Sequence, residues 1–270
     1  ENDQWLINGS PKGRALETSD FKRHTMLLPP LTEGEVLVKV EMLSFDPSQK
    51  GQMENVGYAA ETEFGQVMNA TGVGEVVESN VDRFPIGAKV MGSLGWQRYA
   101  VMAAQKLEVI TGDAPLAAHL GPLGGTGLTA YFGLFRVGRP MPGDTVLVSG
   151  AAGATGSIVG QLAKLAGCRV VGIAGGAEKC AWLVNELGFD EAIDYKNDRV
   201  KAAIRAACPS GVNVFFDNVG GTILNDALAC IALNARVVIC GGISRYEQAV
   251  LPAGPANYFN LVFQLSLIHI

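Results

Sequence analysis

Two short stretches hold the residue types that could do chemistry. The first is SGAAGATGSIVG at residues 149–160, set between an apolar run and a helix-like one. Small residues there let the chain turn tightly and bring backbone N–H groups toward an anion at a helix start. Gly153 and Gly156 are the principal loop candidates, with Ala152, Ala154 and Thr155 beside them. The alternative is a purely structural turn, since glycine and alanine also permit close helix–strand packing. No GK[ST] ends the loop, which disfavours a Walker-type site.

The second stretch is GIAGGAEKC at 172–180. A sheet that binds NAD ends its second strand on an acid, which accepts hydrogen bonds from the adenosine ribose. A phosphate at that place would be repelled. This chain has Gly175 and Gly176, which remove bulk, and then Lys179, which offers a cation. The pattern favours NADP(H). Glu178 works against it, although an acid on the first helical turn also suits the helix dipole. The plain alternative for Lys179 is a surface lysine paired with a neighbouring acid.

The elements around these stretches divide the chain into two halves. GEVLVKVEML at 34–43, VMNATGVGEVVES at 67–79, GAKVMGS at 87–93 and WQRYAVM at 96–102 are short strand patterns punctuated by glycine. They predict a mostly β domain ending near residue 120, with bends or bulges at the glycines. The second half alternates instead. TVLVSGA, CRVVGIAG, DEAIDY, NVFFDNVGG and ARVVICGG are strand patterns. Between them lie SIVGQLAKLAG, AEKCAWLVNELG (ending at Gly188), DRVKAAIRAAC and ILNDALACIAL, all helix-like. Strands alternating with helices predict a parallel sheet covered on both faces.

Ligands of such sheets gather beyond the carboxyl ends of the strands. Three stretches qualify: DNVGG at 217–221, CGGISRY at 240–246, and GGTGLTAY at 124–131 at the junction of the halves. Thr129, Asn218, Cys240, Gly241, Gly242, Ile243 and Ser244 are the cofactor candidates they supply; Asn218 equally suits a turn cap. Tyr246 is the side chain best suited to stabilise or protonate a developing enolate, the alternative being an ordinary loop aromatic. Tyr131 is read as a core residue of a helix. Tyr195 closes the third strand and is placed near the adenosine phosphate.

Composition excludes several other classes. The chain has 270 residues, 48% hydrophobic and 17% charged, with a formal charge of −5, which suits a globular protein and gives no basic track for nucleic acid. Its five cysteines form no CxxC pair, so no disulfide framework is expected and a cytoplasmic compartment is. His24, His119 and His269 have no metal-ligand spacing, which leaves zinc-assisted alcohol oxidation without support. No Gly-x-Ser-x-Gly element marks a hydrolase, and no apolar run is long enough for a membrane span.

The residues also resemble a known family. QWLINGSPKG, LSFDPSQKGQM, TGVGEVVES, GWQRY, GLTAYFGL, the 148–180 stretch, ELGFDEAIDYKN, FDNVGG, RVVICGGISRY and PANYFNLV together resemble the zinc-free medium-chain reductases. The branch is that of leukotriene B4 dehydrogenase/prostaglandin reductase and curcumin or alkenal double-bond reductase. The resemblance implies a GroES-like substrate domain over 1–122 and a Rossmann-type dinucleotide-binding domain over 123–270. It implies NADPH-dependent reduction of the carbon–carbon double bond of an enone or enal, and a possible homodimer. By matching motifs, the 153–156 loop would meet the pyrophosphate, Lys179 the 2′-phosphate, Tyr195 and Asn218 the cofactor, and residues 240–246 the nicotinamide. A quinone reductase of the neighbouring branch and a silent NADPH-binding protein are the rival expectations. Ser48 and Lys50 depart from the family, which has an aromatic and an arginine there. The family continues past QLSLIHI with another strand and a returning segment, so an incomplete domain with an exposed sheet edge is expected. Such a chain would bind cofactor poorly or need a partner over that edge.

Overall fold

The computed structural model describes residues 1–54, 62–250 and 252–269. The chain forms two compact units, Glu1–Gly124 and Gly125–Ile270.

In the first unit, β1 (Asn2–Ile7) and β2 (Phe21–Met26) pair antiparallel. β3 (Glu35–Leu43), β4 (Thr71–Ser79), β5 (Lys89–Ser93), β6 (Tyr99–Ala103) and β7 (Glu108–Val109) form a five-stranded sheet in the order β6-β3-β4-β5-β7. Val36, Val38, Val76, Val90, Leu94 and Ala100 are its buried core. Of two register shifts between β3 and β4, the one between Val40 and Met42 lies opposite Gly74 and Val73, as expected at the glycines, whereas the one between Leu37 and Val38 lies opposite Glu78 and Val76, away from any glycine. A side chain at Gly74 would strike the Lys39 carbonyl of β3. Helices α1 (Ser48–Met53) and α2 (Leu116–Leu120) complete the unit. Sequence patterning missed β1 and β2 as strands; β2 reads FKRHTM and is exposed along most of its length, so no apolar alternation marks it.

The second unit opens with α3 (Gly125–Tyr131), which continues as a π-helical segment over Phe132–Gly138. Six parallel strands follow: β8 (Thr145–Ser149), β9 (Arg169–Ala174), β10 (Glu191–Asp194), β11 (Val212–Asp217), β12 (Ile231–Ile239) and β13 (Leu267–His269), in the order β10-β9-β8-β11-β12-β13. Between them run α4 (Ala154–Leu165), α5 (Ala177–Asn185), α6 (Val200–Ala207), α7 (Gly221–Leu228) and α8 (Asn260–Phe263). Strand side chains alternate between two cores, as a period of two demands. Leu147, Val171 and Phe215 face the layer with Ile204 and Leu228. Val146, Val148, Val170 and Phe216 face the layer with Val159, Leu183 and Phe189. Burial on both faces explains why these strands read as continuous apolar runs.

Three expectations are corrected. The helix read through ILNDALACIAL stops at Leu228, and Ile231 already belongs to β12, where it pairs with Val212 of β11. A β-branched residue that is 7% exposed is better placed in that ladder than on a helix end. Helix α5 ends at Asn185 and not at Gly188, because the Phe189 N–H turns back to the Leu183 carbonyl (3.1 Å). Tyr131 is helical but 49% exposed, with Phe132 edge-on to its ring. Residues of QLSLIHI form β13, pairing Arg236 with Leu267 through Val238 with His269, and the expected exposed edge of the sheet falls on this strand, whose three residues are exposed. Backbone groups alone make that ladder, so an unfamiliar sequence can occupy it; Ile270 lies outside the described residues.

Candidate functional site

The strand order reverses between β8 and β11, and the loops leaving these strands define a crevice of the kind that holds nucleotides. The glycine loop leaves β8 at Ser149, and Gly153 is the residue before α4, donating its N–H to the Gly150 carbonyl (2.9 Å). A Cβ at Gly156 would collide with the Gly150 carbonyl oxygen and lie 2.8 Å from the Ala151 Cα. Helix α4 therefore starts tight against its own loop. No side chain caps its amino end, and Gly153 and Ala154 are exposed. Ala152 and Thr155 are half-buried on either side of them.

Two further loops stack beside it. Asn218 donates its side-chain N–H to the Ser149 carbonyl (2.8 Å) and its backbone N–H to the Ser149 hydroxyl (2.9 Å). Cys240 and Gly241 donate to the Asp217 carbonyl (2.9 and 3.1 Å), Ile243 to that of Asn218 (3.3 Å) and Ser244 to that of Val219 (3.2 Å). The Ser244 hydroxyl donates to the same Val219 carbonyl at 2.6 Å. A Cβ at Gly241 would meet the Asn218 carbonyl at 3.2 Å. Gly242 precedes a short 3-10 turn over Ile243–Arg245, and Tyr246, 38% exposed, closes it. Cys240 is an exposed residue, yet its thiol is pushed up, by desolvation first and then by Asp217, so it supplies no ready thiolate. Burial pushes the Cys208 thiol up to about 12.

A second group lies at the ends of β9 and β10. Gly175 is covered by the Tyr195 ring, and a Cβ there would come within 2.8 Å of it. Gly176 has φ +102°, a conformation glycine adopts freely, and donates its N–H to Asp194 (2.8 Å). That hydrogen bond leads the causes that hold the Asp194 carboxyl below its ordinary value, followed by the Asn197 amide. Lys179 is the third residue of α5, in its first turn, exposed, and among the described residues it makes no ion pair. Glu178 is exposed beside it. The two groups adjoin through β8 and β9, since the Ala151 N–H bonds the Ile173 carbonyl (3.0 Å).

Thr129 stands apart. It is exposed on α3 and donates its hydroxyl to the Gly125 carbonyl (2.8 Å). Three side chains that sequence reasoning passed over organise the rest: Ser149 and Asp217, both fully buried, and Asp194. An acid between an apolar strand and a glycine pair was the available signal for Asp217. In the first unit, Lys50 is buried; it donates to the Pro11 carbonyl (3.2 Å) and pairs with Glu54. A cavity of about 330 Å³ nearby is lined by Ser10, Met53, Glu54, Thr62, Glu63 and Phe64. It contains none of the cofactor candidates, and the strand-end loops hold the glycine-shaped backbone that a phosphate needs.

Comparison with known proteins assigns the chain to a family. Residues 3–110 match the family model described as the N-terminal domain of oxidoreductase, and residues 154–268 the one described as zinc-binding dehydrogenase. The NADPH-dependent curcumin reductase of Escherichia coli (strain K12) is 38% identical over 94% of this chain and 74% of its own length. Prostaglandin reductase 1 of Bos taurus is 42% identical over 92% of this chain and 75% of its own. The chain belongs to the medium-chain dehydrogenase/reductase superfamily, in the prostaglandin, curcumin and alkenal reductase branch. The crystal structure of CurA in complex with NADPH from Vibrio vulnificus superposes with a TM-score of 0.92 and is 35% identical, covering 99% of this chain and 81% of that one. Although the second model's description names zinc, no three His, Cys, Asp or Glu side chains gather to hold a metal among the described residues of this branch member. The donors among the described residues do not fit zinc. Nor is any described helix long and apolar enough to cross a membrane.

Proposed function

We propose that the chain binds NADPH along the carboxyl ends of the six-stranded sheet and reduces the carbon–carbon double bond of α,β-unsaturated aldehydes or ketones. The observation that carries this reading is the pairing of a glycine-shaped helix start at Gly153–Gly156 with an unpaired Lys179 just beyond Gly175 and Gly176, the glycines that stand where an NAD site would carry an acid. Two names among its relatives add support: one specifies NADPH and curcumin, whose chain is a conjugated enone, and a solved structure specifies NADPH.

In this reading the first-turn amides of α4 and residues 152–156 receive the pyrophosphate. Lys179 meets the 2′-phosphate, with Gly175 and Gly176 clearing room and Tyr195 walling the pocket. Asn218 and the Cys240–Ser244 loop border the nicotinamide, and Thr129 approaches from α3. NADPH held there would supply the hydride for the β-carbon of the substrate, with a proton completing the α-carbon. Tyr246 contributes the phenol that steadies the negative oxygen developing on the substrate.

The test is NADPH oxidation by the purified chain with a panel of enones, enals and quinones, with the organic products identified. Saturated carbonyl products are expected. Quinols alone would move the chain to quinone reduction, and tight NADPH binding without turnover of any acceptor would make it a binding protein.

A further inference from the structure

The carboxylate of Asp217 is fully buried and has no cationic partner among the described residues. It is held by neutral donors. The Ser149 hydroxyl donates to Oδ1 at 2.6 Å, Val219 N–H to Oδ1 at 3.0 Å, and Gly220 N–H to both oxygens at 3.0 and 3.1 Å. A buried carboxyl without an ionic partner is costly, and the three donors that converge on this one offset part of that cost. Here it fixes a loop. Gly220 and Gly221 have φ of +74° and +58°, so the backbone swings around the carboxylate in a conformation other residues resist.

That loop is the floor on which the Cys240–Tyr246 segment rests. The Asp217 carbonyl receives Cys240 and Gly241, the Asn218 carbonyl receives Ile243, and the Val219 carbonyl receives Ser244 twice. The Ser149 hydroxyl, while donating to Asp217, accepts the Asn218 N–H. One buried serine–carboxylate pair thus ties the glycine loop, the 217–221 loop and the 240–246 segment into a single stack. The 175–179 corner, by contrast, is held by Asp194.

We infer that Ser149 and Asp217 are positioning residues that set the Cys240–Tyr246 arm, and with it Tyr246, relative to the glycine loop. The pair touches neither substrate nor cofactor. It acts at the nicotinamide end and leaves the 2′-phosphate end alone. The catalytic part of this inference rests on the enone reductase reading; the coupling of the loops does not.

The test uses the full chain with Asp217→Asn and Ser149→Ala, each retained only if its thermal unfolding remains cooperative. In the absence of cofactor, backbone hydrogen exchange should accelerate in both 217–221 and 240–246 and stay unchanged over 177–185. In turnover, kcat with an enone should fall about tenfold or more, as small misplacements do, while NADPH affinity changes less than about twofold and Ser149→Thr restores part of the rate. Exchange confined to 217–221 would overturn the coupling. A parallel loss of kcat and NADPH affinity, or an unchanged kcat, would overturn the positioning role. If the unaltered chain reduces no enone, the functional reading fails, and hydrogen exchange alone still decides whether the pair couples the loops.

Discussion

At the scale of single residues, the site is defined as much by absent side chains as by present ones. Gly156 is the sharpest case, since an added Cβ would collide with the Gly150 carbonyl and press on the Ala151 backbone, neither of which is a flexible side-chain end. Gly156→Ala is therefore expected to cost about 1–3 kcal/mol of stability and to weaken NADPH binding. Gly125→Ala, where a Cβ meets nothing within 4 Å, is the control. Equal melting temperatures and equal NADPH affinities for the two variants would contradict the tight helix start. Much of this was legible: GAAGATG between a strand and a helix names the loop, and GGAEK names the missing acid. What the sequence hid is the other half of the pair at the switch point. Asp217 looks like an ordinary turn acid beside two glycines, and its serine partner lies 68 residues earlier.

At the scale of elements, legibility followed burial. β8, β9 and β11 have apolar residues on both faces and stand out in the sequence. β2 and β13 face solvent and do not, because a strand held mainly by its backbone ladder leaves no hydrophobic period. The turn into β2 is anchored electrostatically. Arg14 binds both oxygens of the buried Asp20 (2.9 and 2.5 Å), and the Glu17 N–H donates to it at 2.9 Å. The Arg14 guanidinium, chiefly, holds the Asp20 carboxyl below its usual range against the opposing effect of desolvation. A folded-state value below the unfolded one means that the contribution is complete above the unfolded pKa, about 3.9. It is lost as pH falls through the lower folded value. Acid unfolding followed by far-ultraviolet circular dichroism should thus show Arg14→Ala unfolding at higher pH than the parent, and Asp20→Asn with a shallower acid dependence. Coincident acid transitions for all three chains would contradict the anchoring role.

At the scale of the whole molecule, the chain spans about three quarters of the length of the curated relatives it matches, and both of its units contain a buried core of their own. All the residues proposed to hold the cofactor fall in the second unit, so a ligand that binds the folded chain should stabilise that unit by mass action, by about 2.7 kcal/mol at a hundredfold excess over Kd. Specificity for the phosphorylated cofactor is the most exposed part of the account, because it rests on one lysine and two glycines. The decisive measurement is a calorimetric titration of the purified chain with NADPH and with NADH, repeated on Lys179→Ala. A charge-assisted contact of about 1.5–3 kcal/mol predicts NADPH binding at least tenfold tighter than NADH in the parent, and nearly equal affinities in the variant. Equal affinities in the parent, or a preference that survives in Lys179→Ala, would contradict it.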